Sequence, residues 1–336
     1  MTTVFVSHPS HRLEHYFGAR ALGALRGIAE VRLNPHPRDL HLSELLDGAR
    51  GCDALIAYRQ TEAPRALFEG LAELSAFMRC AVDIRNVDVD AASDHGVLVT
   101  HTSAGYVTAV CEWVLAAMVD LARGISRHAA QYRAGEVPAP TMGQQLRGAT
   151  LGIIGYGQIG SALGELALAL GMKLVVCTPQ SISPRPALRQ AALETLLGES
   201  DFVVCLAPAN AETDRMMDAG AFSQMRREAF FINASRGELV DDEALLAALD
   251  RGHLSGCALD VGRAPDQMPS PALARHPRVV ATPHIGGLTP EAVEHQAMET
   301  VEQLRKLLGG TIPAGAVNAD HATRLARLRA RAADAH

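Results

Sequence analysis

Short apolar runs alternate along the chain with stretches whose apolar positions recur every three or four residues, the pattern of parallel strands covered by helices on both faces. Two series are visible. The first holds TVFVS (3–7), a strand near 30–33, DALIAY (53–58) and GVLVTH (96–101), and predicts a small α/β unit. The second holds TLGII (150–154), KLVVC (173–177), FVVCL (202–206), AFFIN (229–233), GCALD (256–260) and VVATP (279–283). Six such strands are the size of a doubly wound sheet. Between the series, Val110, Trp113, Val114, Ala117, Met118 and Leu121 share one face of a long helix. After the last strand, Val293, Ala297, Val301, Leu304 and Leu308 form a second helical stripe that stops at Gly309 and Gly310. These limits predict one domain over 1–101 and 287–336 and another over 102–286. The closing RLARLRARAADAH is basic and Ala-rich, and predicts a solvated or frayed helix.

Length agrees with two domains, since 336 residues exceed the ~250–300 at which one core stops growing. The 48% hydrophobic content can fill both. A formal charge of -6 supplies no basic excess for tracking phosphates, so nucleic acid is not an expected partner. No stretch reaches the ~18 apolar residues of a membrane span. The opening MTTVFVSHPS lacks a basic region followed by a long apolar core, so no membrane partner and a cytoplasmic location are expected. Six cysteines lie scattered, with no C-x-x-C pair and no histidine at ligand spacing. They predict reduced thiols and no metal.

Directly after TLGII comes Gly155-Tyr156-Gly157-Gln158-Ile159-Gly160, followed by a helical segment. Strand, G-x-G-x-x-G, helix is the context of a dinucleotide-binding turn. Gly155 permits the turn, Gly157 lets a pyrophosphate approach the backbone, and Gly160 lets the helix pack on the strand, so that the free N–H groups of the helix N-terminus face the phosphates. The same fingerprint places an acidic residue at the end of the second strand to bind the ribose. Thr178 stands there, uncharged, and Arg185 lies near enough to meet a 2′-phosphate, which leaves both NAD and NADP open as cofactor.

Four segments, LRGATLGIIGYGQIGSALGELALALGMKL, DFVVCLAPANAETDRMM, FFINASRGELVDDEALLAAL with GHLSGCALDV, and VVATPHIGGLT, appear in this order and resemble the D-isomer-specific 2-hydroxyacid dehydrogenase family over roughly 80–320. The resemblance implies a Rossmann-type doubly wound parallel sheet inserted into a flavodoxin-like substrate domain, and hydride transfer between a nicotinamide and a small 2-hydroxy or 2-keto acid. It implies that Arg236 holds the substrate carboxylate and carbonyl, and that His284 is the acid/base. Asp260 resembles the carboxylate that meets the nicotinamide amide, while Gln158, Ile159, Pro208, Ala234, Ser235 and Gly286 line the cofactor. By the same analogy the chain forms a homodimer. Independent chemistry agrees with two of these roles. Oxidising a hydroxy acid needs a base for the hydroxyl proton, and histidine titrates nearest working pH. A guanidinium gives a carboxylate a two-pronged grip.

Two departures stand out. The family's D-V-F-x-x-E-P segment supplies a glutamate that orients the histidine, whereas this chain reads Asp260-Val261-Gly262-Arg263-Ala264-Pro265-Asp266. Asp266 or Gln267 is the candidate replacement. The family's glycine-rich substrate loop corresponds here to Ala81-Val82-Asp83, and an inward-facing Asp83 would repel an acid. Arg59 and Arg85 are the candidate compensating cations. The alternative to an enzyme is a non-catalytic NAD(H) sensor, since transcriptional corepressors resemble the same family. Retention of Arg236 together with His284 argues for catalysis, because binding a dinucleotide requires neither.

Overall fold

The computed structural model describes residues 1–183, 185–264 and 267–328. The chain divides into two compact units, Met1–Tyr106 with Thr289–His336, and Val107–Leu288.

In the first unit, β1 (Thr3–Val6), β2 (Glu30–Leu33), β3 (Ala54–Ala57), β4 (Ala76–Arg79) and β5 (Leu98–His101) form a parallel sheet in the order β2-β1-β3-β4-β5. Side chains alternate across it, as the pleat requires. Val4, Val6, Ala54, Ile56, Ala76 and Met78 face one core with Ala297, Val301, Leu304 and Leu307 of the helix Pro290–Leu308. Phe5, Leu55, Ala57, Phe77 and Val99 face a second core with Leu45, Leu67 and Phe68. Because both faces are covered, the central strands are fully buried, while the edge strand β2 is not.

In the second unit, β6 (Thr150–Ile154), β7 (Lys173–Cys177), β8 (Leu188–Gln190), β9 (Phe202–Cys205), β10 (Phe230–Asn233), β11 (Gly256–Leu259) and β12 (Val279–Ala281) form a parallel sheet ordered β12-β11-β10-β9-β6-β7-β8. Strand order reverses between β6 and β9, the switch point at which such sheets bind ligands beyond their carboxyl ends. The helix Val107–Arg123 buries Ala109, Val110, Cys111, Val114, Ala117, Met118 and Ala122, and the Cys111 thiol reaches the Ile159 carbonyl at 3.6 Å.

Each sheet has one strand more than the hydrophobic pattern predicts. β4 reads AFMR and has no β-branched residue, and β8 reads LRQ with a single apolar side chain. A second correction concerns the C-terminal segment, expected to be solvated. Leu325 and Leu328 are buried, and Arg324 donates to the carbonyls of Leu71 at 2.8 Å and Leu74 at 3.2 Å. Apolar contact and carbonyl capture anchor it at least to Leu328, the last residue described. All six cysteines are free, five of them buried, and burial pushes the thiols of Cys80 and Cys111 up to about 11. Among the described residues no helix is long and apolar enough to cross a membrane.

Candidate active site

The site of the second unit starts at the glycine loop. Gly155 has φ +91°, and a Cβ on it would stand 2.6 Å from the Ala207 nitrogen, so both conformation and packing demand glycine. A Cβ on Gly160 would strike the Gly155 carbonyl oxygen. Gly157 differs, because a Cβ there would meet no atom within 4 Å. Its surroundings are open, and it is the N-cap of the twelve-residue helix Gln158–Ala169 with no side-chain cap. An open approach to an uncapped helix start fits a pyrophosphate.

At the end of β7 the Thr178 hydroxyl donates to Gln180 Oε1 at 2.7 Å. Gln190 on β8 holds this loop, donating to the carbonyls of Thr178 at 2.8 Å and Gln180 at 3.0 Å. Arg185 pairs with Glu165 on the helix after the glycine loop, which raises its pKa.

The ends of β9, β10, β11 and β12 are tied to one another. The Ser235 hydroxyl donates to the Ala207 carbonyl at 2.5 Å, beside Pro208. Asn233, buried at the end of β10, accepts from the Ser235 N–H at 3.0 Å and donates to the Arg236 carbonyl at 2.9 Å, clamping Ala234 and Ser235 between them. Arg236 Nη1 donates to the Ser235 carbonyl at 2.8 Å. Asp260, at the end of β11, is 3% exposed and accepts from the Thr282 hydroxyl at 2.6 Å, the Ile285 N–H at 2.8 Å and the Gly286 N–H at 2.7 Å. These bonds wrap the Thr282–Gly286 loop around a carboxylate, with His284 at φ +55°. A non-glycine residue there costs ~1–3 kcal/mol and persists only where its surroundings over-determine it. Asp260 supplies that constraint. Its oxygens, expected from the resemblance to meet a nicotinamide amide, take three protein donors here, one fewer than a carboxylate's roughly four acceptor sites.

In the first unit, Asp83 is turned to Arg85, which donates from Nη2 at 2.9 Å and from its backbone N–H at 3.0 Å, so the carboxylate is held by a cation of its own loop. The Ala81 carbonyl accepts from the Thr102 N–H at 3.1 Å, and Val82 stands half-buried between. The Arg59 guanidinium lies 5.8 Å from the centre of the Tyr16 ring. Sequence reading passes over Arg79, the last residue of β4, which is 0% exposed. It donates to the carbonyls of Tyr58 and Thr61 and to Asn86 Oδ1, joining the loop after β3 to the loop after β4. Burial lowers its pKa to about 10, partly countered by Asp83.

The structure thus places Gly155, Gly157, Gln158, Ile159, Gly160, Thr178, Pro208, Ala234, Ser235, Arg236, Asp260, His284 and Gly286 beyond the carboxyl ends of one sheet's strands, and Arg59, Ala81, Val82 and Asp83 beyond those of the other. Asp266 lies outside the described residues. Gln267 follows it with φ +59°, its N–H bonded to the Ala264 carbonyl at 2.7 Å. No group of three His, Cys, Asp or Glu among the described residues could hold a metal ion.

Residues 115–286 match the D-isomer specific 2-hydroxyacid dehydrogenase, NAD binding domain. The chain belongs to this family. It is 34% identical over 286 residues to D-3-phosphoglycerate dehydrogenase 3, chloroplastic, of Arabidopsis thaliana, covering 84% of this chain and 49% of that one. To (S)-sulfolactate dehydrogenase of Chromohalobacter salexigens it is 33% identical, covering 80% and 88%. The TT0316 protein of Thermus thermophilus has the same fold, with a TM-score of 0.83, 33% identity, and coverage of 94% of this chain and 100% of that one. The chain therefore spans about half the length of the phosphoglycerate dehydrogenase and most of the other two. The open glycine cradle belongs to an NAD-binding domain, and the cofactor is a nicotinamide dinucleotide, NAD or NADP.

Proposed function

We propose that the protein is an NAD(P)-dependent oxidoreductase that interconverts a small D-2-hydroxy acid and its 2-keto acid. The observation that carries this reading is the Asp260 wrap. Three hydrogen bonds hold the His284 loop in a strained left-handed conformation on the sheet edge that bears the glycine cradle and Arg236. A loop that only bound a nucleotide would gain nothing from placing a histidine at that strained backbone position.

A nicotinamide dinucleotide held at the glycine loop would supply the hydride acceptor for oxidation at the 2-carbon and the hydride donor for reduction of the keto acid. His284 takes the hydroxyl proton during oxidation and gives it to the carbonyl oxygen during reduction. Arg236 grips the carboxylate and polarises the carbonyl, its backbone fixed upstream by Asn233. Gly155 and Gly160 shape the turn, Gly157 with Gln158 and Ile159 at the helix start would hold the pyrophosphate, and Thr178 would meet the ribose without the repulsion a carboxylate would exert on a 2′-phosphate. Arg59 and the backbone of Ala81, Val82 and Asp83 are proposed acid contacts of the first unit. Asp266 is proposed to orient His284 in place of the family glutamate. The two named relatives take different acids, so the chain's own loops must choose its substrate.

Val119, Ile125, Tyr132, Val137 and Met142 are exposed apolar side chains within one segment of the second unit, which supports a homodimer. Six free cysteines support a reducing, cytoplasmic setting. The test is a panel of glyoxylate, hydroxypyruvate, pyruvate and longer 2-keto acids with NADH and NADPH, followed by reduced-nicotinamide absorbance. Turnover of at least one acid is expected, and His284→Ala should lower it by ~10²–10⁴-fold with cofactor affinity kept. Cofactor binding without turnover of any acid would make the chain a nucleotide sensor. A monomer in sedimentation at micromolar concentration would remove the dimer.

A further inference from the structure

We propose that Arg263 is a positioning residue that fixes the turn following Arg236 and so aims the substrate-binding guanidinium. The inference rests on the reading of Arg236 given above and adds a residue that acts through it.

The turn begins where β10 has ended. Arg236 is extended, and Gly237–Leu239 closes a single 3₁₀ turn before Val240 and the helix Asp242–Asp250. Such a short turn has few bonds of its own, since one Val240 N–H to Gly237 carbonyl contact at 3.0 Å closes it. Its remaining carbonyls need donors from elsewhere. Arg263 supplies the side-chain donors, with Nη2 donating to the Glu238 carbonyl at 2.8 Å and Nε to the Val240 carbonyl, just beyond the turn, at 3.1 Å. The same Nη2 reaches Asp214 Oδ1 at 2.6 Å. On the other side of the turn, the backbone N–H groups of Arg215 and Met217 bond to the carbonyls of Glu238 at 2.8 Å and Leu239 at 2.9 Å. Arg236 therefore sits between two clamps, Asn233 before it and Arg263 after it.

The backbone around Arg263 adds to the hold. A Cβ on Gly237 would strike the carbonyl group of Gly262 and the nitrogen of Arg263, so the two segments pack main chain to main chain. Gly262 occupies the position of phenylalanine in the family's D-V-F segment. A side chain there would collide with the Met268 carbonyl, because the loop folds back through a Gly262 N–H to Gln267 carbonyl bond of 2.9 Å. With no side chain at 262, the loop's attachment to the Arg236 turn falls to residue 263. The ion pair with Asp214 is partly exposed, 30% and 51% at the two side chains, and contributes little by itself. The two carbonyl bonds do the positioning, and a planar fork reaches both at once where an ammonium reaches one.

Three variants separate these contributions. Arg263→Met keeps the reach but removes every donor, Arg263→Lys keeps the charge and one donor, and Asp214→Asn removes only the ion pair. Hydrogen exchange of the peptide spanning 234–241 is measured on the free protein, alongside kcat and KM for glyoxylate and the Kd of NADH. In Arg263→Met, exchange in this peptide should quicken about tenfold and the glyoxylate KM rise about tenfold, below the ~10²-fold that a 1 Å misplacement can cost. NADH Kd should stay within twofold. Arg263→Lys should fall between parent and Met, and Asp214→Asn should stay within twofold of parent. Unchanged exchange and KM in Arg263→Met would overturn the proposal, as would a rise in NADH Kd in step with KM, which marks general loosening of the unit. If Arg263→Met does not fold, Arg263→Lys decides, with at least a threefold rise in KM at constant NADH Kd expected and none overturning it. Arg236→Lys, run beside them, tests the underlying reading. An unimpaired Arg236→Lys defeats that reading, whereas an impaired one with a normal Arg263→Met defeats this proposal alone.

Discussion

Arg79 and Arg236 both stand at the carboxyl end of a parallel strand, one closing β4 and the other three residues beyond β10, yet they are held in opposite ways. Arg79 is fully buried and spends its donors on two backbone carbonyls and an asparagine of its own unit. Arg236 is half-buried, its backbone is gripped by Asn233, and its Nη1 donates to the adjacent Ser235 carbonyl at 2.8 Å. The first arginine is an internal brace, and the second is the proposed working group on a braced turn. The same side chain serves both ends because a guanidinium stays charged and forked under burial, even with its pKa lowered to about 10.

The contrast makes opposite demands on substitution. Arg236→Lys should cost about 10²-fold in kcat/KM, because the proposed two-pronged grip is lost, while leaving the stability of the second unit nearly unchanged. Trp113 is the only tryptophan and lies in the second unit, so its fluorescence during urea unfolding reports that unit alone. A large shift of this transition in Arg236→Lys would show that Arg236 is also a brace and break the comparison. Arg79→Met should act the other way. The buried carbonyls of Tyr58 and Thr61 lose a charged donor at ~1–3 kcal/mol each, partly offset because the Thr61 N–H still reaches the Tyr58 carbonyl at 2.9 Å, Asn86 Nδ2 the Thr61 carbonyl at 3.4 Å, and a buried charge is removed, which leaves a destabilisation of about 2 kcal/mol. Hydrogen exchange in peptides covering β3 and β4 should show it, with the Trp113 transition unmoved. Full protection of those peptides in Arg79→Met would make Arg79 dispensable.

The two regions also differed in how well they could be read from sequence. The glycine loop was legible because Gly155 and Gly160 are demanded by φ and by backbone contact, so the requirement is written in residue type. The His284 loop is marked in the sequence by ALDV and TPHIGG, but the hydrogen-bonded unit of Asp260, Thr282 and Gly286 is not, because the resemblance turns Asp260 toward a nicotinamide amide instead. Arg79 left no such mark. Its partners are main-chain carbonyls, which any sequence supplies, and its position at the end of AFMR hid both the strand and the brace. Asp83 could be read as a hazard to an acid only because its pairing with Arg85 depends on loop geometry that residue types do not encode. The anchored C-terminal segment was missed for a similar reason, although Leu325 and Leu328 at helical spacing were the available signal.

The smallest expected effect sharpens the comparison through pH. His8 follows β1, is 1% exposed, and packs against Phe17 and Tyr58 with ring centres 5.3 and 5.2 Å away. Burial lowers its pKa from 6.5 to about 3, with a contact to the Tyr16 backbone opposing and the Arg79 charge adding to the shift. The folded ring is therefore neutral where the unfolded ring is half-protonated. Because the folded pKa is depressed, the stabilisation is present above pH 6.5 and is lost as pH falls toward 3, while the unfolded state gains the proton first. Each pH unit in this window removes about 1.4 kcal/mol, so the first unit should lose about 2 kcal/mol between pH 6.5 and 5. Asp39, whose pKa burial raises, works with the opposite sign but is shared by parent and variant. Comparison of the parent with His8→Leu therefore isolates the histidine. The variant should lose about 2 kcal/mol less over that interval, read by hydrogen exchange in peptides spanning β1 and the helix Pro290–Leu308. Parallel pH dependences would mean that the ring is protonated in the folded state, which a fully buried position between two aromatic rings and behind the Arg79 charge should not permit.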